Sequence, residues 1–174
     1  MRALGRRRAA VVVVGDVLKG AAPVLLARYT AGGAFIESLC AIAAVAGAIW
    51  SVFVGFRSGR GVGTGVGTML VIQPLAVLLA TPVFVVAILL TRYVSVGSLL
   101  GSAAMFPAML FVMLLVPGTP PEKGADPRVL LPYVIYTAVG TVFIWLAHAD
   151  NIERLLHGTE RKFDLELLAG KRPG

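Results

Sequence analysis

Two arginines and a run of glycines stand together between apolar segments, a combination suited to binding phosphate. Residues 55–67 read GFRSGRGVGTGVG, with two arginines beside alternating glycines. Glycine lets a ligand approach backbone amides closely, and a helix N-terminus attracts anions. Arginine can bind a phosphate through two hydrogen bonds at once. The stretch therefore predicts a phosphate-binding turn that contains Arg57, Gly59, Arg60 and Gly61.

The same glycines also fit a purely structural interpretation. Gly59, Gly63 and Gly67 follow the small-xxx-small spacing that lets two membrane helices pack closely. The arginines would then anchor the cytoplasmic edge of the helix. The stretch does not match the GxxxxGKS/T pattern of a nucleotide-binding loop. The residues alone leave the phosphate site and the packing face both open.

A second polar stretch, HADNIERLLHGTERK at residues 148–162, carries candidate catalytic groups. His148 and Asn151 are three positions apart and share one face of a helix, and Glu160 follows a Gly-Thr break. A mixture of ionisable and amide side chains at a membrane edge favours a functional site. The alternative is an amphipathic surface helix on which Arg154 and Lys162 contact lipid headgroups.

Two smaller polar features are predicted at the same membrane edge. In GDVLKG, residues 15–20, Asp16 and Lys19 lie on one helix face. They form either a local ion pair that reaches water or part of a polar site. In TRYVSVGS, residues 91–98, Ser95 and Ser98 stand beside Arg92. An interfacial belt of arginine and tyrosine is the simpler explanation of that stretch.

The elements that must position these groups are membrane helices. Of the 174 residues, 57% are apolar, and the mean hydropathy is +0.86. Long apolar blocks with few charges indicate an all-α polytopic membrane bundle. The net charge is +7, and the basic residues cluster at helix ends, which favours anionic headgroups or phosphorylated substrates over nucleic acid. Cys40 is the only cysteine, and no motif for a metal site is present.

We expect about six transmembrane helices in a single domain that covers residues 1–174. The stretch from Val62 to Pro117 fits either two long or three short helices. With six helices both termini lie on the side that carries most arginines, which the positive-inside rule assigns to the cytoplasm, and a cytoplasmic tail starts at about residue 149. The predicted helices lie near residues 9–28, 34–54, 63–79, 82–97, 99–116 and 129–147.

The order of these motifs resembles the bacterial glycerol-3-phosphate acyltransferases that use acyl phosphate as donor. The likeness runs from Arg2 to about Lys162 through GDVLKG, FRSGRGV, TRYVSVGS and HADNIERLLHGTERK. The resemblance implies an inner-membrane enzyme that transfers an acyl chain from acyl phosphate to glycerol 3-phosphate. The products are lysophosphatidic acid and phosphate, and the reaction begins phospholipid synthesis. The resemblance also implies that membrane lipids surround the enzyme. It implies no cofactor, no nucleic-acid partner and no obligate protein partner.

The resemblance also implies roles for matching residues. Arg60 would hold the substrate phosphate and Asn151 would orient the glycerol hydroxyl, while either His148 or the substrate phosphate takes the proton. The family has seven membrane helices, and its first helix and most of its first motif have no counterpart before Arg2. The expected catalytic residues are His148, Asn151 and Glu160, and the expected substrate-binding residues are Arg2, Lys19, Arg57, Gly59, Arg60, Gly61, Ser95, Ser98 and Lys162.

Two other functions remain open from the sequence. A non-catalytic or truncated relative would keep the fold and bind phosphate or lipid without turnover. A small transporter for an anionic solute would carry inverted repeats and broken helices at mid-membrane, and the sequence has neither. The position of the charges at the membrane edge also disfavours a transporter.

Overall fold

The regular structure of the protein is helical. The computed structural model describes residues 5–30, 32–52, 55, 59–117 and 126–163, and this part of the chain contains no β-strand. Arg2 and Arg57 lie outside the described residues. The helices are α1 (Gly5–Thr30), α2 (Ala34–Ile49), α3 (Val62–Ile72), α4 (Pro74–Thr91), α5 (Val94–Leu115), α6 (Pro127–Ala147) and α7 (Ala149–Leu156).

The first six helices are apolar and alternate in direction. The Cα of Gly63, at the start of α3, faces the Asp16 side chain of α1. Near the other end, Arg28 of α1 donates to the carbonyl of Val71 at 2.9 Å, so α1 and α3 run parallel. α5 begins and α6 ends on the side where α3 begins, because Ser95 and His148 line one cavity with Gly61.

Four of these helices are long and apolar enough to cross a membrane, by length and composition. They are α1 from Ala10, α4, α5 and α6. α2 and α3 are shorter, with 16 and 11 residues. At 1.5 Å per residue they measure about 24 Å and about 16 Å. The expected all-α polytopic membrane bundle is confirmed, and its six apolar helices include two short ones.

The bounds predicted between Val62 and Pro117 are wrong, although three helices do occupy this stretch. α3 ends at Ile72 and α4 starts at Pro74, whereas one helix was expected over residues 63–79. Proline has no N–H and disfavours helical geometry in the residue before it, so the break falls at Gln73. Pro82 and Pro107 lie inside α4 and α5.

Glycines bring α1 and α3 into close contact beside the site. A Cβ at Gly20 would overlap the carbonyl oxygen of Thr64, and one at Gly67 would overlap the carbonyl oxygen of Val17. The predicted packing role is therefore confirmed for Gly67, since no side chain fits there. Gly59 lies outside α3, in the turn before it, and is not part of this packing face.

At the opposite end of the bundle a charged network ties four helices together. Arg28 of α1 bonds to both carboxylate oxygens of Glu37 in α2, at 2.6–3.2 Å, as well as to Val71 of α3. The hydroxyl of Tyr133 in α6 donates to the same carboxylate at 3.0 Å. The last carbonyls of a helix have no donor within that helix. Arg28 donates to one of them, the carbonyl of Val71 near the end of α3.

Candidate active site

The predicted site residues surround a cavity of about 620 Å³ at the end of the bundle where α3 and α5 begin and α6 ends. Its wall combines charged, amide, hydroxyl and glycine residues. The polar side chains that line it are Asp16, Lys19, Ser51, Arg60, Thr64, Ser95, Ser98, His148, Asn151 and Glu160.

The glycine turn leads directly into the N-terminus of α3. The amide of Gly59 donates to the carbonyl of Ala48 at 3.0 Å, which fixes the turn against the end of α2. Gly61 precedes α3 with φ 74°, a left-handed conformation that favours glycine. Val62, Gly63 and Thr64 all line the cavity. The amides of a first helical turn have no partner within the helix, so α3 presents them at an anion-binding position.

Arg60 places a cationic side chain in the wall of the cavity. Its Nη1 atom is buried and has no hydrogen-bond partner among the described residues. Burial lowers the pKa of Arg60, and the like charge of Arg154 lowers it further, although Glu160 and Asp150 oppose this. A buried guanidinium N–H without an acceptor is costly, so an anionic ligand that accepts from Nη1 would stabilise this arrangement.

Glu160 holds three side chains of the site in place. Its Oε1 accepts hydrogen bonds from Ser95 Oγ at 2.9 Å and Asn151 Nδ2 at 2.7 Å, and its Oε2 accepts from Arg154 Nε at 2.8 Å. Burial alone would raise the pKa of Glu160, but the bonds from Asn151, Arg154 and Ser95 outweigh it and leave the pKa below its usual value. The carboxylate is therefore ionised and acts as a fixed acceptor.

The bond to Glu160 also orients the amide of Asn151. A carboxylate only accepts hydrogen bonds, so the NH₂ group of Asn151 must face it and the Oδ1 atom must point elsewhere. Oδ1 is buried without a hydrogen-bond partner among the described residues. An unpartnered acceptor of this kind is positioned to receive a hydrogen bond from a ligand hydroxyl.

The chain reaches this arrangement by folding back after α7. Gly158 turns the chain with φ 68°, and the amides of Thr159 and Glu160 donate to the carbonyl of Arg154 at 2.8 and 3.2 Å. The amide of Phe163 then donates to the carbonyl of Arg92, in the joint between α4 and α5. This return brings Glu160 beside the first turn of α5.

His148 is buried at the junction of α6 and α7, with 2% of its surface exposed. Its Nδ1 atom lies 2.8 Å from the carbonyl of Ile144. A carbonyl only accepts, so Nδ1 carries the proton and Nε2 carries the lone pair. Burial and the nearby charge of Arg60 lower the pKa of His148, against the opposing effects of the Ile144 bond and Glu160. The imidazole is therefore neutral at pH 7 and able to accept a proton.

The structure brings most of the predicted site residues together. Lys162 is exposed and does not line the cavity. Arg2 and Arg57 lie outside the described residues. The predicted residues that line the cavity are Lys19, Gly59, Arg60, Gly61, Ser95, Ser98, His148, Asn151 and Glu160.

Within this wall, two predicted residues have partners outside the hydrogen bonds of Glu160. Lys19 forms an ion pair with Asp16 at 3.1 Å at the exposed rim. The Ser98 hydroxyl donates to the carbonyl of Val94 at 3.0 Å. Ser95 rather than Ser98 therefore joins the Glu160 network, although the motif contains both.

Sequence reasoning missed Thr64 and the ion pair of Arg154. Thr64 is 1% exposed and follows the glycine turn by one helical turn, a position that the start of α3 would have indicated. For Arg154 the sequence offered contact with lipid headgroups as one alternative, and the structure shows an ion pair with Glu160. The six-residue separation of this pair is not a helical spacing, so it depends on the turn at Gly158.

A second, apolar cavity of about 250 Å³ adjoins the polar one between the helices. Val62 and Ser98 line both cavities, so the two meet at the first turns of α3 and α5. The site thus combines a polar chamber at the end of the bundle with an apolar chamber that extends among its helices.

Comparison with known proteins assigns the family. Residues 1–158 match the family model described as glycerol-3-phosphate acyltransferase. The chain belongs to this family. The resemblance inferred from the motif order is therefore confirmed.

Relatives in this family match nearly the whole chain. The glycerol-3-phosphate acyltransferase of Rubrobacter xylanophilus is 40% identical over 163 residues, which cover 94% of this chain and 74% of that protein. The one from Thermus thermophilus is 38% identical over 162 residues, covering 93% of this chain and 74% of that protein.

Crystal structures of PlsY (YgiH), an integral membrane glycerol 3-phosphate acyltransferase, share the fold. The glycerol 3-phosphate form is 29% identical to this chain, with a TM-score of 0.79, and the match covers 98% of this chain and 78% of PlsY. The lysophosphatidic acid form gives the same TM-score and identity, with 80% of PlsY covered. The apolar helices and this likeness identify a multi-pass membrane protein.

Proposed function

We propose that this protein transfers an acyl group from acyl phosphate to glycerol 3-phosphate, forming lysophosphatidic acid and inorganic phosphate. One observation carries the proposal: in a member of this family, a buried guanidinium nitrogen and a buried amide oxygen, both without partners among the described residues, belong to side chains that line the same cavity. They are Arg60 Nη1 and Asn151 Oδ1. A ligand that offers both an anion and a hydroxyl matches them, and glycerol 3-phosphate has these two groups.

The phosphate of the acceptor would lie at the glycine turn. Arg60 offers a buried charge, and the first amides of α3 offer hydrogen-bond donors around Gly61. These groups neutralise phosphate and hold the acceptor in one orientation.

The transfer needs positioning more than a strong nucleophile. Acyl phosphate is a mixed anhydride, so its carbonyl carbon is already activated. The glycerol hydroxyl oxygen attacks that carbon and forms the ester bond, while the bond from the carbonyl carbon to the bridging oxygen breaks. Phosphate leaves with the electron pair. The hydroxyl proton passes either to His148 Nε2 or to the leaving phosphate, and Asn151 Oδ1 orients the hydroxyl.

The acyl chain would enter the apolar cavity that adjoins the polar one, between helices and near lipid. We place the site and both chain ends at the cytoplasmic face of a bacterial inner membrane, because most arginines lie at this end of the bundle. Acyl phosphate is the donor in this proposal, and membrane lipids receive the product.

The experiment measures acyl transfer from palmitoyl phosphate to radiolabelled glycerol 3-phosphate in membranes that contain this chain. Arg60→Ala should lower kcat/KM by about a hundredfold or more, since it removes a preorganised charge from the site. Arg128→Ala is the matched control, because Arg128 is exposed at the opposite end of the bundle and its change should leave activity as it is.

Two results would contradict the proposal. Equal activity of the Arg60→Ala and unmodified proteins would remove Arg60 from the phosphate site. Saturable binding of glycerol 3-phosphate with no labelled lysophosphatidic acid would instead identify a non-catalytic relative that binds phosphate.

A further inference from the structure

The apolar cavity is shaped to hold a hydrocarbon chain rather than water or a polar group. Its serine and threonine hydroxyls all donate to backbone carbonyls, at 2.7–3.1 Å. With their hydroxyls satisfied, these residues turn methyl and methylene groups towards the cavity, and an unsatisfied polar ligand there would be costly. The donors are Thr81, Ser98, Ser102, Thr137 and Thr141.

Two glycines in the wall of this cavity are not required by helix packing. A Cβ at Gly65 would lie 3.5 Å from the Ile144 side chain, and a Cβ at Gly140 would lie 3.5 Å from the Tyr136 ring. Both distances are ordinary van der Waals contacts. At Gly67, by contrast, a Cβ would overlap the backbone of α1. Packing therefore explains Gly67, whereas Gly65 and Gly140 keep open a space that a side chain would fill.

The depth of the two glycines differs. Gly65 lies one turn into α3 from Gly61, about 6 Å at the helical rise, and Gly140 lies eight residues before His148, about 12 Å along α6. The deeper part of an acyl chain would therefore pass Gly140.

We propose that Gly65 and Gly140 determine which acyl chains this protein accepts, by leaving room along the path of the chain. The inference rests on the proposed function. Side chains at these positions shorten or narrow the apolar cavity, and the polar cavity that holds the phosphate keeps its own wall. A side chain at position 140 would affect long acyl chains, because Gly140 lies deeper in the apolar cavity than Gly65.

The experiment compares palmitoyl phosphate and octanoyl phosphate as donors for Gly140→Val. The ratio of kcat/KM for palmitoyl over octanoyl should fall by about tenfold or more, because a methylene that no longer fits a pocket costs about that much. Gly65→Ala should lower the ratio in the same direction by less. Retained octanoyl transfer reports that each variant is folded.

Gly15→Val is the matched control, because Gly15 is helical, lies outside both cavities and has nothing within 4 Å of an added Cβ. Its ratio should equal that of the unmodified protein. An unchanged ratio in Gly140→Val would overturn the inference.

If the unmodified protein transfers no acyl group, the proposed function fails. The role of the apolar cavity is then tested by the binding of octyl phosphonate and hexadecyl phosphonate. Hexadecyl phosphonate should bind more tightly, and Gly140→Val should remove that difference; a difference that persists would overturn the inference.

Discussion

Two partly buried arginines, one at each end of the bundle, have opposite surroundings. Arg28 donates through Nε, Nη1 and Nη2, to Glu37 and to the carbonyl of Val71. Arg60 has a buried Nη1 without a partner among the described residues, and it lines an open cavity. All three guanidinium nitrogens of Arg28 thus donate hydrogen bonds within the chain, whereas Arg60 has a nitrogen without a partner among the described residues.

The difference distinguishes a structural charge from a binding charge. A fully paired ion network contributes to stability only as a unit, because removing one member leaves the other buried and unpaired. An unpaired cation costs stability and is retained when a ligand completes its bonds. Residue type and burial are similar at the two ends, so the partners of each arginine decide its role.

Replacing each arginine with methionine tests this comparison directly and should give the largest effect. Arg28→Met should lower the free energy of unfolding by about 3–5 kcal/mol, since Glu37 is then buried with its charge uncompensated. Arg60→Met should cause little loss of stability, because the guanidinium it removes has a buried Nη1 without a hydrogen-bond partner among the described residues. Denaturant unfolding in detergent measures both changes.

The control is a double variant, Arg28→Met with Glu37→Leu, which should recover most of the lost stability because no charge remains unpaired. If Arg28→Met and Arg60→Met destabilise the protein equally, the contrast between a structural and a binding arginine is wrong.

Replacing Glu160 should have an intermediate effect. Its carboxylate positions site residues, and it lies outside the paired network around Arg28. Glu160→Ala should lower the free energy of unfolding by about 1.5–3 kcal/mol, as expected for lost hydrogen bonds to a charged group. It should also lower kcat more than it raises KM for glycerol 3-phosphate, since Asn151 and Ser95 lose their fixed partner. Glu160→Gln, which keeps an acceptor, should restore part of the activity.

The pH dependence gives a separate test of Glu160. Its folded pKa is depressed, so its stabilisation is present above the ordinary value of 4.5 and is lost as the pH falls through the folded pKa. The unmodified protein should therefore lose stability below pH 4.5 more steeply than Glu160→Gln. Glu153→Ala, an exposed change on α7, should not alter this slope.

The smallest effect is expected from His148, as a shift in the pH profile of activity. Its folded pKa is below the ordinary value of 6.5, so the neutral base persists to lower pH and is lost as pH falls through the folded pKa. If His148 takes the proton, kcat/KM should show an acid limb below pH 6.5 that His148→Gln abolishes. A limb that persists in His148→Gln would assign the proton to the substrate phosphate.

The helical membrane fold could be predicted from the sequence, because apolar blocks are a local property of the chain. The break at Gln73 was missed although Pro74 marks it, because the continuous apolar run from Val62 hid a helix of only 11 residues. The glycine turn was correctly associated with the start of a helix, and Gly67 was correctly associated with packing.

Sequence by itself determined that this chain is a bundle of apolar helices with arginine, histidine and amide groups gathered at one membrane edge. Only the tertiary structure decided which of them meet. Ser95 and Glu160 are 65 residues apart and share a hydrogen bond, and Arg154 donates to the same carboxylate. Composition and periodicity depend on near neighbours, whereas these contacts and the unpartnered atoms of Arg60 and Asn151 arise from how the helices pack.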